Sequence, residues 1–305
     1  MTIPLRPLGR TGVEVTALGY GAMELRGGDH GPAIEDDEAG RLLNALLDGG
    51  VNLIDTSIDY GRSEELIGRY LEHRRDEFFL ASKCGCLLEL PPDAHPPYPH
   101  DFDAANVRAG VEQSLRRLRT DRLDLVQVHM SPSKEEMEAA GTIDAMVGLR
   151  DEGKVRFLGM SGTLPNLREH IAMGVFDVFQ IPYSAVQREH EELIAQAAAA
   201  GAGVLVRGGA ARGAPSEDKS WTVPPIGLGE GEAQRRWDAS GIDELLDGMS
   251  RMEFVLRFTL THPGLSSTIV GTSRLDHLES NLAIAAKGPL PADLYEEAKR
   301  RLPAG

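Results

Sequence analysis

The feature that most constrains this chain is an alternation between short, nearly continuous apolar runs and segments whose apolar residues recur at helical spacing. Runs at 51–55, 78–83, 123–129, 155–161, 178–183, 203–207 and 267–270 read as strands buried on both faces, because they leave no polar side for solvent. The intervening segments read as helices. Segment 36–48, for example, aligns Ala39, Leu42, Leu43, Leu46 and Leu47 on one face and ends at Gly49-Gly50. With 16–23 as a first strand, the pattern amounts to eight strand-helix units. No Gly-x-Gly-x-x-Gly follows the early strands, so a closed parallel (β/α)8 TIM barrel is expected over an open doubly wound sheet. Turn residues between short extended pieces at 7–15 predict a β-hairpin ahead of the barrel. A chain of 305 residues with 41% hydrophobic content suits one such domain across residues 1–305.

The strand ends carry chemistry. In such a barrel the C-terminal ends of the strands and the loops after them form the catalytic face. Asp55 ends the second strand, Lys83 the third and His129 the fourth, while Tyr60 stands in the loop after Asp55. Each has an ordinary explanation on its own: an Asp-Lys ion pair, a satisfied histidine, a half-buried tyrosine. Four of them on one face point to a reaction centre.

Composition removes several alternatives. A formal charge of −15 argues against a nucleic-acid surface. No apolar run is long enough to span a bilayer, and the first residues lack a signal-peptide core, so a cytoplasmic location is expected, with no membrane partner. Cys84 and Cys86 are too close together for an ordinary disulfide and have no partners nearby in sequence for a metal site, so free thiols and no metal are expected. Two long loops, 84–103 and 208–250, should lie over the catalytic face.

The motifs give a more specific reading. Asp55-x4-Tyr60-Gly-x-Ser-Glu64, Ser82-Lys83, Ser114-Leu-x-x-Leu, Asp124-Leu-x3-His129 and Gly271-Thr-Ser-Arg274 with Asn281 occur in order at successive strand ends. In these the chain resembles the aldo-keto reductase superfamily over nearly its whole length. The resemblance implies a TIM barrel that binds a nicotinamide dinucleotide, usually NADPH (NADP+), and transfers hydride to a small-molecule carbonyl without a metal. Such a reaction needs an acid to protonate the oxygen, and Tyr60 is assigned that role. An ammonium roughly 4 Å from the phenol favours the phenolate by about 4 kcal/mol at an effective dielectric of about 20. Lys83 is therefore expected to lower the Tyr60 pKa. Asp55 holds the lysine, and His129 positions the substrate oxygen.

The resemblance also implies a cofactor site. Ser161 and Gln180, ending strands five and six, correspond to residues that hold the nicotinamide carboxamide. Gly162 stands where the family usually has asparagine, and Arg207 where it usually has an aromatic platform. Planar guanidinium can itself lie against a ring. The same reading takes in Gly21, Ala22 and Met23 after the first strand, Asp55, and Gly208 and Arg212 after the seventh. Gly271, Thr272, Ser273 and Arg274 open the last barrel helix, where amides, a hydroxyl and a guanidinium suit the 2′-phosphate of NADPH. His277, Ser280 and Asn281 follow on that helix, His277 and Ser280 departing from the residues many relatives carry.

Three functions fit this set: an NADPH-dependent carbonyl reductase, a sugar or alcohol dehydrogenase run with NAD(P)+, and a cofactor-binding regulatory protein with slow turnover. The substrate itself depends on the two long loops. The sequence carries no reading of the oligomeric state.

Overall fold

The computed structural model describes residues 2–26, 34–89, 98–210 and 232–302. Two short strands, β1 (Leu5–Pro7) and β2 (Glu14–Thr16), pair antiparallel as the expected hairpin. Eight parallel strands then close into a barrel: β3 (Leu18–Gly21), β4 (Leu53–Asp55), β5 (Phe79–Cys84), β6 (Leu123–Val128), β7 (Val155–Ser161), β8 (Val178–Pro182), β9 (Gly203–Arg207) and β10 (Ser267–Val270). They pair in chain order, and β10 returns to β3.

The hairpin closes the N-terminal end of the barrel. Leu8 and Val15 are fully buried against Leu53, Phe79, Ala81, Leu125, Val178 and Leu205, which belong to the barrel strands. Apolar side chains from the hairpin thus plug the N-terminal end. The turn needs glycine at position 9, where φ is 54° and an added Cβ would lie 2.2 Å from the Gly203 nitrogen. Further up, the inward positions change character. Because side chains alternate across a strand, Leu53 and Asp55 share a face, as do Phe79 with Lys83, Leu125 with Gln127, and Val178 with Gln180. Hydrocarbon at the bottom of the barrel gives way to charge and amide at the top within two to four residues of the same strands.

Helices α1 (Asp36–Asp48), α2 (Ser63–Leu71) and α3 (Ala104–Leu118) follow β3, β4 and β5. α1 places Asp36, Asp37 and Glu38 in its first turn, where the helix dipole favours negative charge, and buries the five apolar residues read from its spacing. α3 begins at an N-cap, the Asp103 carboxylate accepting from the Ala105 amide at 2.8 Å. After β6 come α4 (Lys134–Ala140) and α5 (Thr142–Asp151), then α6 (Leu167–Met173) after β7 and α7 (Glu191–Ala199) after β8. α8 (Glu232–Ser240) and α9 (Arg251–Thr261) precede β10, and α10 (Leu275–Ala286) and α11 (Ala292–Arg301) finish the fold.

Four local expectations need correction. The first barrel strand is shorter than 16–23, because Thr16 belongs to the hairpin and Ala22–Leu25 turns into a 3-10 helix. α4 was not expected, although Ser133 caps it by accepting from the Glu136 amide, a Ser-x-x-Glu signal visible in the sequence. The alanine-rich stretch 187–200 predicts a helix, yet α7 starts only at Glu191, since Ser184 and Gln187 are tied in a tight bridge. Segment 208–250 is more than a loop. Its described part contains α8, whose Trp237 is 1% exposed, packs edge-on against Phe254 and donates its indole N–H to Asp243 at 2.9 Å. Among the described residues, no helix is long and apolar enough to cross a membrane.

Candidate active site

The register of the strands brings the predicted residues together. Gly21 pairs with Asp55, Asp55 with Ala81, Lys83 with Gln127, and Ser161 with Gln180. Asp55, 1% exposed, is the hub. One of its carboxylate oxygens accepts from Lys83 Nζ at 2.7 Å, and the other accepts from the side-chain amides of Gln127 and Gln180, each at 2.8 Å. The Lys83 ammonium also donates to the Thr56 carbonyl at 2.8 Å. Burial alone would depress its pKa, but Asp55 and Tyr60 more than offset that, and the group is held cationic above its ordinary range. A buried ion pair of this kind, with its remaining lone pairs satisfied, resists displacement and fixes the side-chain positions.

Lys83 Nζ stands 4.9 Å from the centre of the Tyr60 ring, on its face. Its expected effect on the phenol has the right sign and is outweighed. Burial pushes the Tyr60 hydroxyl up, Lys83 pulls it down, and Asp55 and Asp59 push it up again, leaving it at about 12. The sequence alone could not supply the burial or Asp59. The phenol is therefore a proton carrier at neutral pH rather than a half-ionised group.

His129 follows β6 directly, its amide held by the Cys84 carbonyl at 3.1 Å. Its ring meets the Tyr60 ring edge-on with centroids 6.4 Å apart. Burial drives its pKa down to about 3 despite the nearby Asp59 carboxylate, so the imidazole is neutral across the working range. Its Nδ1 has close neighbours that sequence spacing did not reveal: His100 Nε2 at 3.1 Å, Cys86 Sγ at 3.4 Å and Asp59 Oδ2 at 3.6 Å. Both cysteines are free thiols, as expected. The expectation that they lack partners fails for Cys86, whose thiol lies 3.4 Å from both His129 Nδ1 and Ser57 Oγ, residues distant in sequence.

A cavity of about 440 Å³ opens above this network. Asp55, Tyr60, His129, Ser161 and Gln180 line one part of it, and Gly21, Met23, Arg207 and Gly208 another. Gly271, Thr272, His277, Ser280 and Asn281 line a third, at the start of α10. Lys83 lies behind Asp55 and Tyr60, outside the lining. Ser161 donates to the Gln180 carbonyl oxygen at 3.2 Å, so Gln180 is fixed from both sides by Ser161 and Asp55. Ala22, in the turn after β3, is fully buried. At Gly162, an added Cβ would sit 2.9 Å from Leu167 Cδ1, so the packing of α6 leaves no room for a side chain there without a shift. Gly271 is required by a close approach: a Cβ there would come within 2.6 Å of the Gly21 carbonyl oxygen. Ser273 and Arg274 do not line the cavity. The Arg274 guanidinium is exposed and pairs with Asp276, from NH2 to Oδ2 at 2.5 Å. Arg212 lies outside the described residues.

The residues fit a dinucleotide. The glycine-backed wall at Gly21 and Gly271 admits a flat group, and α10 starts beside it with no side-chain cap from Arg274. Gln127 and Asp59 are the functional neighbours that the motifs missed. Gln127 had a signal, since it is the polar member of the period-two set Leu123, Leu125, Gln127.

An eight-stranded barrel with an Asp-Lys pair beneath a tyrosine and a histidine is an arrangement suited to an oxidoreductase. The Aldo/keto reductase family model matches residues 17–300, and the chain belongs to that family. L-galactose dehydrogenase of Arabidopsis thaliana is 30% identical over 92% of this chain and 88% of its own length. D-threo-aldose 1-dehydrogenase of a Pseudomonas species is 28% identical over 95% of each. Among solved structures, the holo form of an aldo-keto reductase from Bacillus halodurans superposes with a TM-score of 0.84 at 26% identity, covering 99% of this chain and 97% of that one.

Proposed function

We propose that this protein is an NADPH-dependent reductase that converts an aldehyde or ketone to the alcohol, with Tyr60 as the general acid. The observation that carries this reading is the convergence of Tyr60 and His129 on one wall of the cavity, with Lys83 held against the Tyr60 ring by Asp55. Bound NADPH would supply the hydride. Tyr60, protonated up to about pH 12, gives its proton to the oxygen as negative charge builds there. Lys83 stabilises the phenolate left behind, and Asp55 keeps the lysine in place. His129, neutral, orients the carbonyl oxygen next to Tyr60. Ser161 and Gln180 are assigned to the carboxamide of the nicotinamide, Arg207 and Gly208 to its ring or the adjoining phosphates, and the start of α10 with Arg274 to the 2′-phosphate.

A second reading, oxidation of a sugar with NAD(P)+, is favoured by the two sugar dehydrogenases among the relatives. The two are separated by assaying NADPH and NADH consumption against a panel of aldehydes and ketones, and NAD+ and NADP+ reduction against aldoses. Carbonyl reduction with at least about tenfold preference for NADPH in kcat/KM, a difference of about 1.4 kcal/mol, is the expected result. Faster aldose oxidation with NAD+ would select the second reading.

A further inference from the structure

We propose that His100 is a positioning residue for the reaction centre: as an imidazolium paired with Asp59, it holds His129 in the tautomer whose Nε2 proton faces the cavity. This role rests on the carbonyl-reduction reading and deepens it, because a neutral His129 orients a carbonyl oxygen only if the nitrogen facing that oxygen carries the proton. A neutral imidazole has one N–H and one lone pair, and only the first attracts such an oxygen. His129 Nδ1 is occupied by His100 Nε2 at 3.1 Å, Cys86 Sγ at 3.4 Å and Asp59 Oδ2 at 3.6 Å. His129 lines the cavity, so Nε2 is the nitrogen left for substrate.

One backbone carbonyl fixes the proton count. His100 Nδ1 lies 2.8 Å from the Tyr98 carbonyl oxygen. A carbonyl only accepts, so that nitrogen carries a proton. If it were the only proton on His100, Nε2 would be a lone pair and His129 Nδ1 would have to donate across the 3.1 Å contact. His129 Nε2 would then be bare and would repel a carbonyl oxygen. With a second proton, on Nε2, His100 donates from both nitrogens, His129 Nδ1 accepts, and His129 Nε2–H is left to hold the substrate oxygen. Cys86 cannot take over this task. Burial keeps it a neutral thiol, a weak donor that would leave the two ring lone pairs facing each other.

Asp59 supplies the counter-charge. A carboxylate oxygen of Asp59, the Cys86 sulfur and a ring nitrogen from each histidine all lie within 4.8 Å of one another. Burial pushes the Asp59 carboxyl up, yet the His129 ring, a hydrogen bond from Ser57, the His100 ring and Lys83 together hold it below its ordinary range. A buried carboxylate requires a cation beside it. Lys83 is bonded to Asp55, and burial, with Lys83 and Arg207 adding to it, keeps His129 neutral, so the cation is His100. The acids on its own segment face elsewhere: Asp101 accepts from the Asp103 amide at 2.9 Å, and Asp103 from the Ala105 amide at 2.8 Å. The ring itself is seated by the bridge between Cys86 and His100 and by stacking on Phe102, with centroids 6.1 Å apart. The form that holds a carbonyl is therefore present while His100 is cationic and is lost as pH rises and the ring gives up its proton. Above that point His129 Nε2 becomes an acceptor, suited to the hydroxyl of an alcohol.

The test is nitrogen-15 magnetic resonance of the histidine rings in the full chain at about pH 7, without substrate. Two protons on His100, and on His129 a proton at Nε2 with none at Nδ1, are expected. A singly protonated His100, or a His129 proton at Nδ1, would overturn the proposal. In His100→Leu the His129 proton should move to Nδ1, facing Asp59, and in Asp59→Asn the His100 ring should be neutral at the same pH; ring states unchanged in both variants would also overturn it. Circular dichroism checks that each variant is folded, and the spectrum of the unaltered protein decides alone if one is not. With a reducible substrate, His100→Leu should lower kcat/KM by about tenfold or more and leave NADPH affinity unchanged. In the parent, kcat/KM should decline with rising pH at the midpoint where the His100 ring loses its proton. His100→Gln, whose amide donates at every pH, should keep most of the activity and lose that decline, and a decline unchanged in His100→Gln would count against the role. Because the spectra involve no turnover, failure there is distinct from failure of the reductase assignment.

Discussion

The two ends of the cavity are built on opposite principles. At the reaction end, Asp55, Lys83, Gln127 and Gln180 are each no more than 1% exposed, and every polar atom of the Asp55 carboxylate has a fixed partner. At the α10 end, the cationic side chain assigned to cofactor recognition, Arg274, is about two-thirds exposed and, among the described residues, paired with Asp276 two residues away. A buried network cannot lose one member without stranding another, whereas an exposed pair in water changes little when it is broken. On the proposed assignments, catalysis would be set by the barrel interior and intolerant of change, while cofactor preference would be set at the surface and open to tuning.

The largest expected effect is on the buried side. Lys83→Met leaves the Asp55 carboxylate buried without its cation, which should cost about 3–5 kcal/mol of stability in denaturant unfolding. It should also lower carbonyl reduction by more than about hundredfold, since the phenolate loses its stabilising charge. A variant as stable as the parent would mean that Asp55 is neutralised by other means, and the contrast between the two ends would collapse.

Gln127→Leu is a milder probe of the same network. It deletes one of three donors to Asp55 while keeping volume in the strand, and about 1–3 kcal/mol of stability should be lost. If Asp55 is the hub, the loss should nearly vanish in an Asp55→Ala background, as a double-mutant cycle would show.

At the exposed end, Arg274→Ala should weaken NADPH by about tenfold, leave NADH unchanged and leave stability unchanged. Asp276→Ala sharpens the point by releasing the guanidinium from its pair, and should tighten NADPH. Fluorescence titration of both cofactors decides it. Equal weakening of both by Arg274→Ala would remove the guanidinium from the 2′-phosphate.

The smallest effect is a pH dependence that should be absent. Tyr60 acts in its protonated form, so activity depending on it is present below its pKa and lost as pH rises through about 12. The rate of carbonyl reduction should therefore show no basic limb from Tyr60 between about pH 7 and pH 10. A limb near neutrality that disappears in a Tyr60 variant would show that the phenol ionises far more easily than its surroundings allow.

Much of this molecule was legible in the sequence because the barrel imposes it. Apolar runs buried on both faces can only be inner strands, and the polar residues that end them have to appear at the open end. That is how Asp55, Lys83 and His129 could be placed before any coordinates. What escaped depended on contacts between distant segments. His100 reaches His129 through a bridge between residues 86 and 100, and no local pattern encodes that closure. Asp59 is one residue from Tyr60 but declares itself only by its burial and by facing His129. The net direction of the Tyr60 shift escaped for the same reason, since desolvation is a property of the packed site. Trp237 was hidden by its setting, a short polar helix in which one aromatic residue does the anchoring. By contrast, α4 and Gln127 carried local signals, a capping pair and a period-two polar position, that were there to be read.

The most direct test of the central claim is single-turnover reduction of an aldehyde substrate identified by the panel, comparing Tyr60→Phe with the parent at saturating NADPH. The account predicts that cofactor affinity and thermal stability stay close to those of the parent, because only a hydroxyl is removed, while hydride transfer slows by roughly 10²–10⁴-fold. Hydride transfer within about tenfold of the parent, equivalent to no more than about 1.4 kcal/mol, would contradict it and place the acid on another group.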